Sequence, residues 1–131
     1  MGELKTVPRQ SQPTFLVVCE DDPEKAQLRT DFLMGHLEHV EKHWERYVVA
    51  GPLRADGSDR LVGSAFIVHA DTLDDAKALM SGDPYISSGL YRSITYRDMT
   101  LSIGDYIGGK IWRTREELVD RALGENRSQT S

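Results

Sequence analysis

Two kinds of side chain in this sequence could move a proton near neutral pH, a histidine and a carboxylate held in one pose. Asp83 precedes Pro84, and a residue before proline is pushed out of the helical region toward an extended backbone. Such an acid could serve as a turn residue or as half of a catalytic pair, and the local sequence alone favours the turn. Histidine can both take up and return a proton at pH 7. His36 lies on the flank of a predicted helix, where packed or solvated histidines are commoner than catalytic ones.

The other reactive groups give weaker indications. Cys19 is the only cysteine, and because it lies within an apolar run, it is better interpreted as a small buried hydrophobic residue than as a nucleophile. His39 and His43 have the i, i+4 spacing that can bind a metal ion. No third ligand follows at a fixed offset, so a solvated helix face is the better interpretation. We therefore predict neither a metal nor another cofactor.

Composition restricts the class of partner. The chain has 131 residues and a net charge of −5, which indicates one domain with a core and argues against nucleic acid or an anionic membrane surface as partner. No apolar run is long enough to span a bilayer, and residues 1–14 lack the apolar core of a secretory signal. A lone cysteine excludes an internal disulfide and fits a reducing cytoplasm, which is the predicted location.

The elements that must position these side chains follow a simple order. Apolar runs predict four strands, and amphipathic periodicity predicts two helices. The first helix begins after Asp22-Pro23, and the second ends at Gly82 in a left-handed cap. The strands are predicted at residues 15–20, 47–53, 61–69 and 90–101, and the helices at residues 24–46 and 73–81. This order suits an α+β fold with a ferredoxin-like split βαβ (βαββαβ) sheet and two helices on one face.

The faces of the first helix can be assigned from spacing. An apolar stripe is formed by Leu33, Leu37, Val40 and Trp44, and a second line beside it by Arg29, His36 and His43. His36 is then the histidine expected to be half-buried, and His39 points further round toward solvent. Gly63, within the third strand, indicates either a close approach of two backbones or a bulge.

The two ends of the chain are predicted to lie outside this domain. Residues 1–14 are predicted to form a flexible N-terminal arm, and residues 15–101 the domain itself. Residues 102–131 form a C-terminal extension with an arm, a short helix and a polar tail. We expect that helix to begin at Thr114 or Arg115 and to stop at Gly124, with the tail from Glu125.

Four features occur in an order that resembles one known family. They are a strand opening onto Asp22-Pro23, Arg29 with His36-Leu37 on the first helix, Gly51-Pro52-Leu53, and Asp83-Pro84-Tyr85 followed by Gly89-Leu90. No single feature is specific, but the ordered set is similar to the YCII-related family over roughly residues 15–97. The resemblance implies a ferredoxin-like fold that pairs into a dimeric α+β barrel.

The resemblance also implies a pocket with a histidine–aspartate dyad, which corresponds to His36 and Asp83 here. Family members with assigned chemistry are cofactor-free enzymes that isomerise small cyclic substrates or eliminate halide from them. A carboxylate that accepts a hydrogen bond from one ring nitrogen fixes the histidine tautomer and stabilises the imidazolium as it forms. Such a pair suits proton abstraction beside a carbonyl or proton shuttling during elimination.

Three further residues are candidates for substrate binding. Arg29 could hold a carboxylate or enolate oxygen, although it could instead pair with a nearby acid, namely Asp22, Glu24 or Asp31. Ser64 and Tyr85 are candidates for hydrogen bonds to substrate, while an aromatic residue at such a turn is more often simply packed.

Two hypotheses about function follow, and both expect a homodimer with a small-molecule substrate or ligand. The first is a small cofactor-free lyase or isomerase that uses His36 and Asp83. The second is a non-catalytic dimeric ligand-binding or accessory domain that keeps the pocket without turnover. Haem binding by one of the histidines is a third possibility, by analogy of fold alone.

Overall fold

The computed structural model of the protein describes residues 12–110 and 112–130. Residues 12–100 form one compact unit, and the chain from Leu101 onward belongs to a second. The first unit is built on a four-stranded antiparallel sheet with the strand order β2-β3-β1-β4. Its strands are β1 (Thr14–Asp21), β2 (Tyr47–Arg54), β3 (Leu61–His69) and β4 (Tyr91–Met99). The predicted ferredoxin-like α+β sheet is confirmed.

The first crossover, which connects β1 to β2, is helical but is not one continuous helix. It comprises a 3₁₀ turn (Pro23–Lys25), α1 (Gln27–Asp31), α2 (Leu33–His43) and a second 3₁₀ turn (Trp44–Arg46). Asp22 caps the start, as predicted, because its carboxylate accepts a hydrogen bond from the Glu24 amide at 3.0 Å. The break falls at Phe32, whose φ of −110° and ψ of 15° leave the helical region. The prediction of a single helix over residues 24–46 is therefore wrong.

The second crossover contains α3 (Leu73–Ser81) and a one-turn helix, α4 (Pro84–Ser87). Gly82 ends α3 with a φ of −76°, so the left-handed cap predicted there is wrong. Asp83 has an extended backbone, with φ −85° and ψ 122°, as expected of a residue before proline. It caps α4, because its carboxylate accepts a hydrogen bond from the Tyr85 amide at 2.9 Å. A turn was expected here, and the structure has a capped helical turn.

The core lies between one face of the sheet and these helices. The buried cross-strand pairs on that face are Phe15 with Val68, Val17 with Phe66 and Cys19 with Ser64. Ala76, Leu79 and Met80 of α3 are buried in the same core cluster, together with Tyr85 and Leu90. Burial of each large apolar side chain contributes about 1.5–3 kcal/mol to stability. The core therefore fixes α3 and the Asp83 turn on the sheet.

The second unit contains a small hairpin and a terminal helix. Strands β5 (Ile103–Gly104) and β6 (Gly109–Lys110) pair antiparallel, and α5 spans Arg115–Thr130. The predicted stop at Gly124 is wrong, because the helix continues to Thr130. No helix within the described residues combines the length and apolarity needed to cross a membrane. The predicted N-terminal arm lies outside the described residues up to residue 11, and Thr14 already belongs to β1.

Candidate active site

The side chains of His36 and Asp83 are in direct contact. The Nδ1 atom of His36 lies 2.8 Å from Oδ2 and 3.0 Å from Oδ1 of Asp83. The carboxylate is fully buried, whereas the imidazole keeps 18% of its side-chain surface exposed. Because a carboxylate only accepts hydrogen bonds, this contact assigns a proton to Nδ1. No hydrogen bond within the described residues engages Nε2, the other nitrogen of the ring.

Tyr85 supports the imidazole from one side. Its ring is stacked on that of His36, with centroids 4.1 Å apart and 7° between the planes. Its hydroxyl donates a hydrogen bond to the backbone carbonyl of Arg29 at 2.6 Å. Burial raises the pKa of Tyr85, while the guanidinium of Arg29 opposes the rise. The phenol of Tyr85 is therefore protonated and buried, and its ring covers one face of the His36 imidazole.

Arg29 is held by acceptors from two strands. Its Nε and Nη2 atoms donate to the two carboxylate oxygens of Asp21 at 2.6 and 3.0 Å. Nη2 also donates to the Gly63 carbonyl at 2.9 Å and to the Ser64 hydroxyl oxygen at 3.2 Å. The pairing acid is thus Asp21 rather than Asp22, Glu24 or Asp31. Burial works to lower the pKa of Arg29, but the hydrogen bond and charge of Asp21 raise it overall.

Ser64 is a buried hydroxyl with an unassigned proton. Its oxygen accepts hydrogen bonds from Tyr91 at 2.9 Å and from Arg29 at 3.2 Å. A hydroxyl has two acceptor lone pairs and one proton, so the Ser64 proton is left for a third partner. Gly63 places this residue, because a Cβ there would lie 2.2 Å from the Cys19 carbonyl oxygen. Of the two alternatives at Gly63, the structure shows the close backbone approach, and the register with β2 also shifts directly beside it.

These side chains meet at one open cleft with a volume of about 740 Å³. Arg29, His36, Ser64 and Tyr85 all line it, and Asp83 stands behind His36. Most of the remaining lining is apolar and includes Leu33, Leu37, Val40 and Trp44 from the first crossover, together with Tyr47 and Phe66. The predicted helical stripe therefore faces the cleft, and α2 contains no buried residue. The cleft suits a ligand with an apolar body and one polar edge.

A second cavity of about 930 Å³ is lined by the remaining histidines, His39, His43 and His69. His39 does not point to solvent as predicted. A Cβ added at Gly82 would lie 3.0 Å from its Cε1 atom, and its Nε2 atom is buried without a hydrogen-bond partner among the described residues. Burial lowers the pKa of both His39 and His69. The described residues contain no group of three or more side chains placed to hold a metal ion.

Cys19 is fully buried in the sheet. Burial raises the pKa of its thiol to about 12, with additional contributions from the carboxylates of Asp83 and Asp21. The thiolate, which is the nucleophilic form, is therefore scarce at neutral pH. These properties agree with its interpretation as a core residue.

The fold and the cleft together define a class, a ferredoxin-like α+β domain with a histidine–carboxylate pair beside an open cleft. The sequence model of the YCII-related domain matches residues 14–100, and the chain belongs to the YCII-related family. Protein YciI of Escherichia coli O6:H1 is 26% identical over 90 residues, which cover 63% of this chain and 92% of the relative. Protein YciI of Shigella flexneri matches equally well.

One solved structure resembles the fold over most of its own length. It is the 5-chloro-2-hydroxyhydroquinone dehydrochlorinase TftG from Burkholderia phenoliruptrix AC1100, in complex with 2,5-dihydroxybenzoquinone. The TM-score is 0.60 and the sequences are 26% identical, with 71% of this chain and 97% of the other covered. At the level of the family, the chain is similar to a small enzyme that binds a cyclic ligand.

Proposed function

We propose that the protein is a small cofactor-free enzyme in which His36 and Asp83 move a proton on a cyclic substrate. The observation that carries the proposal is the 2.8 Å contact between His36 Nδ1 and a fully buried carboxylate at the edge of an open cleft. In a histidine held in this way, Nδ1 is engaged by the carboxylate and Nε2 is available to the substrate. The available Nε2 is the general base, and Asp83 stabilises the imidazolium that forms.

The surrounding residues supply substrate binding. Ser64 donates its remaining proton to a ring oxygen, and the charge of Arg29 stabilises negative charge that develops there. Asp21 neutralises part of the positive charge of Arg29. The chief role of Arg29 is therefore to hold Ser64 in position and to keep the local potential positive. Tyr85 stacks on the imidazole of His36 and holds its orientation at the cleft. The apolar side chains of the first crossover bind the face of the substrate ring.

The reaction that we favour is elimination of halide from a halogenated hydroxyhydroquinone, the chemistry named for TftG. A ring hydroxyl loses its proton, and a proton is returned to the carbon that bears the halogen, which gives a ketone. Loss of a second hydroxyl proton then expels the halide with the electron pair of its carbon bond and leaves a quinone. The balance is loss of one proton and one halide ion, so a single base that takes and returns protons is sufficient.

We also propose that the chain pairs through the uncovered face of its sheet. On that face Val49 and Leu53 are 41% and 37% exposed, and they line a shallow cavity together with Leu16, Ala65 and Ile67. An apolar sheet face of this kind is a typical association surface. Sedimentation should give the mass of a dimer, and Ile67→Lys should give the mass of a monomer. A monomeric wild-type protein at micromolar concentration would contradict this pairing.

The test of the enzyme is release of chloride from 5-chloro-2-hydroxyhydroquinone. We expect turnover by the wild-type protein and a loss of about 10²–10⁴-fold in kcat for His36→Gln and for Asp83→Asn. His43→Gln, on the same helix but lining the second cavity, is the control. If the wild-type protein binds 2,5-dihydroxybenzoquinone without turning over the substrate, the non-catalytic ligand-binding hypothesis replaces this one.

A further inference from the structure

Gly35 and Pro84 touch directly beside the His36–Asp83 pair. A Cβ atom added at Gly35 would lie 2.9 Å from Cγ of Pro84 and 3.6 Å from its Cβ. Gly35 immediately precedes His36, and Pro84 immediately follows Asp83. The backbone of α2 thus packs against the Asp83 turn one residue away from the hydrogen bond on which the proposed function rests.

Pro84 cannot move aside for a larger residue. Its ring closes on its own backbone, and it occupies the first position of α4. The carboxylate of Asp83 is fixed as well, because it accepts from the Tyr85 amide at 2.9 Å. A methyl group at position 35 would therefore have to be accommodated by movement of α2. A movement of about half an ångström would take the 2.8 Å contact of His36 beyond the range of a short charge-assisted hydrogen bond.

Helix propensity offers no reason for glycine here. Gly35 lies within α2 (Leu33–His43), where glycine is less favourable than alanine by up to about 1 kcal/mol. Its φ is not in the left-handed region that glycine favours. The close contact with Pro84 is the structural feature that a side chain at this position would disturb.

We propose that Gly35 is a positioning residue for the proposed reaction. The absence of a side chain lets α2 approach the Asp83–Pro84 turn closely enough for His36 Nδ1 to reach the buried carboxylate. Gly35 itself touches no substrate. This inference rests on the proposed function, since it explains how the pair on which that function depends is held together.

The experiment compares the histidine ring signals in long-range proton–nitrogen NMR spectra, which need no substrate. In the wild-type protein, His36 should show one tautomer with its proton on Nδ1. In Gly35→Ala, its two nitrogen shifts should move toward the average of both tautomers. Adding Pro84→Ala should restore the spectrum of Pro84→Ala alone, because it removes Cγ and leaves the ordinary 3.6 Å contact to Cβ. Gly51→Ala is the matched control, because a Cβ there meets nothing within 4 Å.

The kinetic counterpart is a fall in kcat of about 10- to 100-fold in Gly35→Ala with little change in KM, and recovery in the double variant to the kcat of Pro84→Ala alone. An unchanged His36 spectrum in Gly35→Ala would overturn the positioning role and leave the proposed function intact. A wild-type spectrum without the Nδ1-protonated tautomer would instead overturn the His36–Asp83 pair, and this inference with it. If Gly35→Ala does not fold, a folded double variant with the spectrum of Pro84→Ala alone supports the role. A double variant that is unfolded where Pro84→Ala folds, or whose spectrum differs from that of Pro84→Ala, contradicts it.

Discussion

The rings of His36 and Tyr85 lie parallel, with centroids 4.1 Å apart and an angle of 7° between their planes. Asp83 connects the two, since its carboxylate contacts the His36 ring at Nδ1 and accepts from the Tyr85 amide. The carboxylate therefore restricts rotation of the imidazole within its plane, and the phenol restricts tilting. A ring held in both ways keeps Nε2 directed along one line, which a general base requires.

Replacing Tyr85 by leucine should separate support of the imidazole from hydrogen bonding. We expect kcat to fall about 2- to 10-fold in Tyr85→Leu, because a stacked aromatic pair contributes about 0.5–1.5 kcal/mol. Tyr85→Phe keeps the ring and loses only the hydrogen bond to the Arg29 carbonyl, so it should retain most of the rate and lose about 1 kcal/mol of stability. Steady-state rates and urea denaturation measure the two effects. Equal losses of rate in both variants would assign the role to the hydroxyl instead.

Asp21→Ala should be among the more destabilising substitutions near the cleft. It leaves the guanidinium of Arg29 without its two charge-assisted hydrogen bonds, at 2.6 and 3.0 Å, in a site where both side chains are mostly buried. A loss of about 1–3 kcal/mol is expected from urea denaturation, because an unsatisfied buried donor loses its partner without regaining water. Glu20, next to Asp21 on β1, forms an exposed ion pair with Arg92. Glu20→Ala removes that ion pair and should lower stability little. Similar losses in both variants would show that burial does not distinguish the two ion pairs.

Much of the site could be predicted because its residues lie at positions that local rules constrain. Proline restricts the backbone of Asp83, and the first crossover brings both Arg29 and His36 to the cleft although its helix breaks between them at Phe32. Resemblance to the family then joined the two parts of the chain. Asp21 and Tyr91 were missed as partners of Arg29 and Ser64, because their contacts depend on how β1, β3 and β4 pair. Alternation within one strand gives the face on which a residue lies but not the residue that faces it from a strand distant in the sequence.

The apolar stripe of the first helix shows where periodicity stops being informative. The spacing of Leu33, Leu37 and Trp44 correctly indicated one face, but these side chains are 42%, 44% and 64% exposed and line the cleft. Periodicity gives the direction of a face and not what covers it. The break at Phe32 was missed because phenylalanine is not a helix breaker, so the sequence does not mark it.

The thiol of Cys19 should not react in the folded protein. Its pKa of about 12 leaves almost no thiolate at pH 8, and the side chain is fully buried in the core. Incubation with iodoacetamide at that pH should leave the mass unchanged in buffer and add one label in denaturing urea. The same comparison on Cys19→Ser controls for labelling elsewhere. Rapid labelling in buffer would mean that the sheet opens locally or that the thiol is not in the core.

Stability should decrease as the pH falls below about 6.5, because His39 and His69 are held in surroundings that favour the neutral imidazole. Burial lowers the pKa of His39 from 6.5 against the attraction of Asp83, and neighbouring histidine rings add to the lowering. Burial and the charge of Arg46 lower the pKa of His69. Below about 6.5 the unfolded chain therefore binds more protons than the folded chain, and the free energy of unfolding rises with pH. This contribution is fully present above the unfolded pKa and is lost as the pH falls toward the folded one.

The measurement is the free energy of unfolding in urea at several values between pH 5 and pH 8. The slope against pH should be smaller in His39→Gln than in the wild-type protein, and smaller again in the His39→Gln, His69→Gln double variant. The slope is compared rather than the free energy of unfolding itself. Each substitution also changes packing, and that effect on stability is the same at every pH. Among the described residues, His39 Nε2 and His69 Nδ1 are buried without hydrogen-bond partners, and an added charge is costly there. Identical slopes in all three proteins would mean that other groups cause the loss of stability in acid.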